Sequence, residues 1–192
     1  MIPVPPPPTE LPANVVAIVA RVPDRGAEHG GVVTGKEFHH ALVQAAAQKG
    51  RRAAPKPGGN GYRGLKNLAI GELLDDSWIR GQAAEMGIGL RPREVTREIA
   101  LVKKEAFKNG AQYRRFLRAA HYTRRDVEER VEIQLLADKI QERVAAGFNS
   151  EAAAQKAFAK FVDEYEERWH SRTVCAPSYV TVRCSNAPAP GP

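Results

Sequence analysis

Along most of this chain, apolar residues recur every three or four positions, and glycine, proline or polar residues break the pattern at intervals. That period is typical of helices with one buried face, whereas a half-buried strand alternates at every second residue. The pattern therefore predicts a mainly α fold of about six helices. Their expected ranges are Thr34 to Gln48, Tyr62 to Met86, Pro92 to Lys108, Ala111 to Ala120, Thr123 to Ala146 and Ser150 to Trp169.

Short β signals lie near both ends of the chain. Val15 to Ala20 is an apolar run of strand length, and we expect it to pair with Val32–Val33 as a hairpin across a turn-rich stretch. Near the C-terminus, Tyr179 to Val182 is rich in strand-forming residues and is expected to be strand-like. The predicted organisation is a Pro-rich disordered arm at 1–13, a helical domain at 14–172, and a C-terminal segment and tail at 173–192.

Both cysteines of the chain lie in this C-terminal segment. Eight residues separate Cys175 from Cys184, a spacing that favours a disulfide clasping a short hairpin. The alternatives are two free thiols or half of a zinc site, although a zinc site needs two more ligands and His170 is the only histidine nearby. A structural disulfide would indicate an oxidising, extracytoplasmic compartment.

The sequence also bears on export and membrane insertion. It has no run of 18 or more apolar residues, so we expect no membrane span. No secretory signal with a basic start and an apolar middle is visible, so an export signal would have been trimmed or lost through a misplaced start.

The chain is basic, with a formal net charge of +7, and the excess is concentrated in one region. Between Arg91 and Arg130 there are twelve Lys or Arg residues against six Asp or Glu. Such a pattern usually belongs to a solvated helix face. It also permits binding to nucleic acid, anionic surfaces or acidic polypeptides.

No pattern in the sequence points to catalysis, a metal, a cofactor or a small-molecule substrate, and we expect none of them. His39 and His40 cannot hold one metal ion from one face, because neighbours on a helix point about 100° apart. The glycine-rich stretch at 56–62 lacks the spacing of a phosphate-binding loop. The acidic pairs Asp75–Asp76 and Glu166–Glu167 are expected to be solvated.

Several short motifs follow one another in an informative order. The first is a helix entry, Val33 to Phe38, with the form (I/V)T-x-x-E-F. The motifs that come after it are Leu73-Leu74, Trp78-Ile79, Ala83 to Ile88, Glu94-Val95, Phe107, Tyr113, Phe116-Leu117, the helix from Thr123 to Ile140, and finally Trp169, Thr173, Cys175, Tyr179-Val180 and Cys184. Over about Leu11 to Asn186, the set resembles SurA N-terminal-like domains of SurA/PrsA-type foldases, and its ending is similar to that of actinobacterial secreted members.

This resemblance implies a SurA N-terminal-like helical domain over 14–172 that binds unfolded exported polypeptides as a holdase. Foldases of this type usually carry a parvulin-type prolyl isomerase domain between the closing helix and the last helix. Only Ala145 to Glu151 occupies that position in this chain. We therefore expect no isomerase activity.

A client-binding surface requires exposed apolar side chains, although aromatic residues at helical spacing usually belong to the core. We expect two or three of the following candidates to be exposed: Trp78, Ile79, Met86, Ile88, Leu90, Phe107, Tyr113 and Phe116. Nearby basic residues would attract acidic segments of a client toward this surface, and salt would screen this attraction at longer distances. These residues are Lys103, Lys104, Lys108, Arg114, Arg115 and Arg118.

Two other functions are compatible with the sequence. A cell-envelope structural or interaction protein could use the same fold as a scaffold. A nucleic-acid binder could use the region from Arg91 to Arg130. The cysteine pair and the interspersed acids argue against nucleic acid, and Tyr113, Phe116 and Tyr122 are better explained as core. We place the chaperone function first, the scaffold second and nucleic-acid binding third.

Overall fold

The structure is a computed structural model that describes residues 11–23 and 30–188. It confirms the predicted mainly α fold, with six helices and three short strands among the described residues. Residues 1–10 of the predicted arm, part of the hairpin turn (24–29) and the end of the tail (189–192) lie outside the described residues. The elements are β1 (Val15–Val19), β2 (Val32–Thr34), α1 (Gly35–Gln48), α2 (Tyr62–Glu85), α3 (Pro92–Ala106), α4 (Gly110–Ala120), α5 (Arg124–Ala145), α6 (Glu151–Ser171), β3 (Thr173–Cys175) and a 3₁₀ helix (Pro177–Tyr179).

Local side-chain chemistry sets the helix starts. The Thr34 hydroxyl accepts the backbone N–H of Glu37 at 3.3 Å, and the Glu37 carboxylate accepts the backbone N–H of Thr34 at 2.7 Å. This reciprocal pair is a capping box at the start of α1. Thr123 and Ser150 cap α5 and α6 as predicted.

β1 is the central strand of a three-stranded antiparallel sheet in the order β2–β1–β3. The predicted pairing of β1 with β2 is confirmed, and it places Ala17 opposite Val33. On the other edge of β1, Ala17 lies opposite Cys175 of β3. The pairing with β3, which the sequence pattern does not predict, brings the two ends of the described chain into one sheet.

The predicted disulfide between Cys175 and Cys184 is confirmed, with a Sγ–Sγ distance of 2.03 Å. The strand predicted at Tyr179 to Val182 is wrong, because this stretch contains the end of the 3₁₀ helix and irregular chain. Pro177 has no backbone N–H to donate to a strand ladder and begins the 3₁₀ helix instead. The 3₁₀ helix turns the Tyr179 ring onto Phe38 of α1, with 4.9 Å between the ring centroids.

The core lies between the sheet, α1, α2 and the C-terminal end of α6. Trp78 of α2 and Trp169 of α6 are 2% and 0% exposed. Trp78 Nε1 donates to Thr173 Oγ1 at 2.8 Å, and Trp169 Nε1 donates to Gln82 Oε1 at 3.0 Å. Both buried indole N–H groups therefore have acceptors, and the two bonds tie α2 to β3 and α6.

α3 and α4 lie outside this core. α3 packs against α5, and α4 packs against α1. Both helices are described in full, and neither contributes a buried residue. Lys139 of α5 anchors the start of α3, because its Nζ lies 2.7 Å from Glu94 Oε1 and 3.3 Å from the Gly89 carbonyl oxygen.

Candidate functional site

The eight apolar candidates lie in three different environments. Trp78 is buried in the core, where it cannot contact a client. Phe116 is 41% exposed, and the other six side chains are half-buried. Phe116 is thus the one exposed side chain among the eight candidates, where two or three are expected.

Phe107, Tyr113 and Phe116 come together with Tyr122, and we call these four residues the aromatic cluster. The ring centroid of Phe107 lies 5.2 Å from that of Tyr113 and 5.2 Å from that of Phe116. Tyr122 meets Phe116 edge to face at 5.7 Å. These spacings are typical of favourable aromatic pairs. The cluster links the end of α3, one side of α4 and the turn before α5.

The expectation that Tyr113, Phe116 and Tyr122 belong to the core is wrong. Tyr113 and Tyr122 are half-buried and Phe116 is exposed, because within the described residues no further layer covers this side of α4. On α3, Leu101 and Val102 are 40% and 39% exposed. Sequence reasoning missed Leu101 as a surface residue.

All six predicted steering cations lie on α3, α4 or the turn between them, and five of the six are exposed. Lys103 is half-buried, and its Nζ lies 4.7 Å from the centroid of the Tyr113 ring. None of the six forms an ion pair with a described residue. We define the α3–α4 surface as the aromatic cluster, Leu101, Val102 and these six cations.

The remaining half-buried candidates lie elsewhere. Ile88 and Leu90 line a groove of about 240 Å³ between the end of α2 and α5. Its other apolar walls are Pro23, Ala83, Ala84 and Leu136. The structure therefore places three apolar candidates on α3–α4 and two in this groove. Ile79 in α2 and Met86 at its end are half-buried and belong to neither group.

The acidic pair Asp75–Asp76 of α2 is only partly solvated, with the Asp75 side chain 40% exposed and Asp76 half-buried. Both line a cavity of about 290 Å³ between the β1–β2 hairpin, α1, α2 and α5. Arg80 lines the same cavity, and its buried Nε has no hydrogen-bond acceptor among the described residues. The other acidic pair, Glu166–Glu167, is exposed as predicted.

Burial raises the pKa of both aspartates in this cavity to about 6. Arg183, whose Nη2 lies 2.8 Å from Asp75 Oδ2, lowers the pKa of Asp75 without offsetting the effect of burial. Arg80 and Arg130 act in the same direction on Asp76. The cavity is therefore lined by two carboxyl groups with a pKa of about 6.

The described part of the chain was also compared with the requirements of a metal site and of a membrane span. No group of three or more His, Cys, Asp or Glu side chains there is placed to hold a metal ion. In the adjacent pair His39–His40, Nε2 of His40 lies 2.8 Å from Asp126 Oδ1, and His39 is exposed. None of the described helices combines the length and the apolarity needed to cross a membrane.

Comparison with known proteins supports the resemblance noted in the sequence. The family model described as SurA-like N-terminal domain matches residues 30–141, from the turn before β2 to near the end of α5. No curated protein and no solved structure matches the chain. Domains of this family are chaperone-type modules found in extracytoplasmic proteins. Since the match covers more than half of the 192 residues, the chain belongs to the SurA-like N-terminal domain family.

Proposed function

We propose that this protein is an extracytoplasmic holdase, which binds unfolded exported polypeptides through the α3–α4 surface and has no prolyl isomerase activity. The observation that carries the proposal is the open aromatic cluster beside Leu101 and Val102, on two helices that bury no residue of their own. A stable protein usually buries such side chains, and their exposure on two successive helices favours binding to another molecule.

The physical character of this surface suits an unfolded client. Unfolded chains present apolar side chains in many sequence contexts, so their binding site needs apolar contact that does not depend on one sequence. Covering apolar area stabilises a complex by about 25 cal/mol per Å², and association has its own entropic cost. A few exposed side chains therefore give weak, reversible binding, which a holdase needs in order to release its client.

Two further features support the remaining parts of the proposal. A buried disulfide is typical of proteins in oxidising compartments, which favours an extracytoplasmic location. α5 ends at Ala145 and α6 begins at Glu151, so the connection in which related foldases carry their isomerase domain is a short turn. The disulfide thus supports the location, and the short turn supports the absence of prolyl isomerase activity.

The test is suppression of aggregation of a chemically denatured model substrate, at low salt and at about 0.5 M salt, where charges are screened within a few ångströms. We expect protection at up to equimolar ratios, and we expect it to persist at high salt because apolar contact carries the affinity. A DNA gel shift is measured in parallel, since the unpaired cations would also suit phosphate groups.

Phe116→Ala and Phe148→Ala form a matched pair for this assay. The two phenylalanines are 41% and 46% exposed, but Phe148 lies in the turn between α5 and α6, away from the α3–α4 surface. We expect Phe116→Ala to weaken protection several-fold and Phe148→Ala to leave it unchanged. Equal effects of the two changes, or no protection by the unaltered protein, would favour a scaffold role. A salt-sensitive DNA shift would favour nucleic-acid binding.

A further inference from the structure

We propose that the α3–α4 surface selects client segments in which acidic residues lie beside aromatic or large apolar residues. This inference rests on the proposed holdase function and names the chemistry of its clients. It differs from general electrostatic steering, because it assigns short-range contacts to particular cations next to particular apolar side chains.

The first observation is a local charge imbalance that the described structure does not neutralise. Residues 99–120 contain six Lys or Arg and one acid, Glu105. Some exposed cations elsewhere are paired: Arg125 Nε lies 2.8 Å from Glu129 Oε1, for example. The six cations of the α3–α4 surface form no ion pair with described residues. Unpaired like charges repel one another, and an anionic partner relieves that repulsion.

The second observation is the placement of cations beside apolar residues on α3. Lys104 follows Leu101 by three positions, so the two exposed side chains share one face of the helix. Lys103 is already engaged with the Tyr113 ring. Of the two cations that α3 contributes to this surface, Lys104 is therefore the better placed to contact an acidic residue next to an apolar one.

The angular positions of residues around the helix also distinguish the cations of α4. Arg115 lies about 100° from Phe116 around the helix, and its long side chain can reach the same partner. Arg114 and Arg118 lie on the side opposite Phe116, where they add to the long-range field but not to contacts at this exposed ring. Lys104 and Arg115 thus define the short-range part of the selectivity.

A polypeptide fits this surface better than a single-stranded nucleic acid. Bases bind proteins by stacking on the open faces of aromatic rings. Lys103 Nζ covers one face of the Tyr113 ring at 4.7 Å, and the edge-to-face contact of Phe116 with Tyr122 engages a further ring face. Acidic side chains in an extended peptide need only the cations at the margin of the cluster.

The experiment measures binding of short labelled peptides by fluorescence anisotropy. Three peptides carry the same aromatic and leucine residues, flanked by aspartate, by serine or by lysine, and a fourth carries the aspartates without the aromatic residues. We expect the acidic aromatic peptide to bind about tenfold more tightly than the serine peptide at low salt, and more tightly still than the lysine peptide. About 0.5 M salt should remove most of this difference.

Two double variants locate the selectivity. Lys104→Glu with Arg115→Glu should weaken binding of the acidic aromatic peptide about tenfold and leave the serine peptide within about twofold. The control combines Arg63→Glu with Lys156→Glu, which change the same net charge at exposed positions of α2 and α6. We expect this control to preserve the order of the three aromatic peptides, and thermal unfolding confirms that all variants are folded.

Each outcome separates this inference from the proposed function. Equal binding of the acidic and serine peptides by the unaltered protein would overturn the selectivity and leave the holdase function standing. Equal binding of the fourth peptide, or of a short oligonucleotide, would mean a general polyanion site and would also overturn it. Failure of all three aromatic peptides to bind would contradict the holdase function itself.

Discussion

At the scale of single residues, the half-buried Asp76 has the most direct consequence for stability. Its ordinary pKa is 3.8, and burial raises it to about 6, with Glu72 and Asp75 adding to the rise and Arg80 and Arg130 opposing it. The folded state therefore binds a proton more tightly than the unfolded chain does. The stabilisation that comes from protonated Asp76 is fully present at low pH, and it is lost as the pH rises from about 4 to about 6.

Asp76→Asn should stabilise the protein above about pH 6 by about 1–3 kcal/mol, because the amide avoids burial of a charge. It should also flatten the fall in stability between about pH 4 and pH 6. Urea unfolding followed at several pH values measures both effects. Asp163→Asn, at an exposed position of α6, is the control and should change little. If Asp76→Asn destabilises the protein at neutral pH, the ionised carboxylate has a favourable partner.

Residue-scale predictions from the sequence succeeded where the determining contacts are local. The Thr34 capping box follows from residues three positions apart, and the structure contains it. Adjacent acids on a helix are usually solvated, so the sequence does not predict the cavity that Asp75 and Asp76 line. That cavity is enclosed by α5 and the β1–β2 hairpin, which lie far away in sequence.

At the scale of elements, α2 and α6 approach closely at Gly81. A Cβ at this position would overlap the ring carbons of Trp169, which is 0% exposed. Gly64, in the first turn of the same helix, has no heavy atom within 4 Å of the equivalent Cβ position. The two glycines therefore occupy one helix with opposite steric surroundings.

Gly81→Ala should destabilise the protein by about 1–3 kcal/mol, because the overpacked Trp169 ring cannot move without disturbing the core. Gly64→Ala should instead stabilise it by up to about 1 kcal/mol through helix propensity. Urea unfolding monitored by circular dichroism compares the two changes. A neutral Gly81→Ala variant would mean that α2 and α6 are further apart than the structure indicates.

The disulfide holds the C-terminal segment against the core. Its loop carries Tyr179 onto Phe38 and Arg183 onto Asp75. By the chain-entropy model, closing this short loop stabilises the fold by about 2.5–3 kcal/mol, so full reduction should lower Tm by about 5–10 °C. Thermal unfolding with and without dithiothreitol measures the shift, and the Cys175→Ala, Cys184→Ala double variant should be insensitive to the reductant. An unchanged transition after verified reduction would refute a structural role.

Element-scale prediction from the sequence was accurate for helices and less so for strands. The apolar period and the caps predicted all six helices among the described residues to within two residues at each end. The C-terminal strand was placed at Tyr179 to Val182, but β3 is Thr173–Cys175. A three-residue strand has almost no pattern of its own, and β3 is specified by the free edge of β1, which lies at the other end of the chain.

At the scale of the whole molecule, a closed core supports an open pair of helices. The sheet, α1, α2 and the end of α6 enclose both tryptophans, while α3 and α4 bury nothing of their own. The matched family region, 30–141, includes α3 and α4 but not β1, α6 or β3, which close the core around it. This arrangement separates the part that provides stability from the part that we propose binds clients.

The candidate site was only partly predictable at this scale. Phe107, Tyr113 and Phe116 were named from the sequence, and the structure brings them together with Tyr122. Trp78 was named with them, but it lies in the core. Periodicity shows which residues share a helix face, but not whether another element covers that face. Exposure of the aromatic cluster therefore became visible only with the packing of the whole chain.

The most direct test of client binding on the α3–α4 surface is amide hydrogen exchange, measured with and without a permanently unfolded polypeptide. Because α3 and α4 contribute no buried residue, their amides should exchange readily in the free protein. The account predicts that the client slows exchange within 99–122 and changes little within α2. Slowed exchange confined to other elements, or none at saturating client, would contradict it.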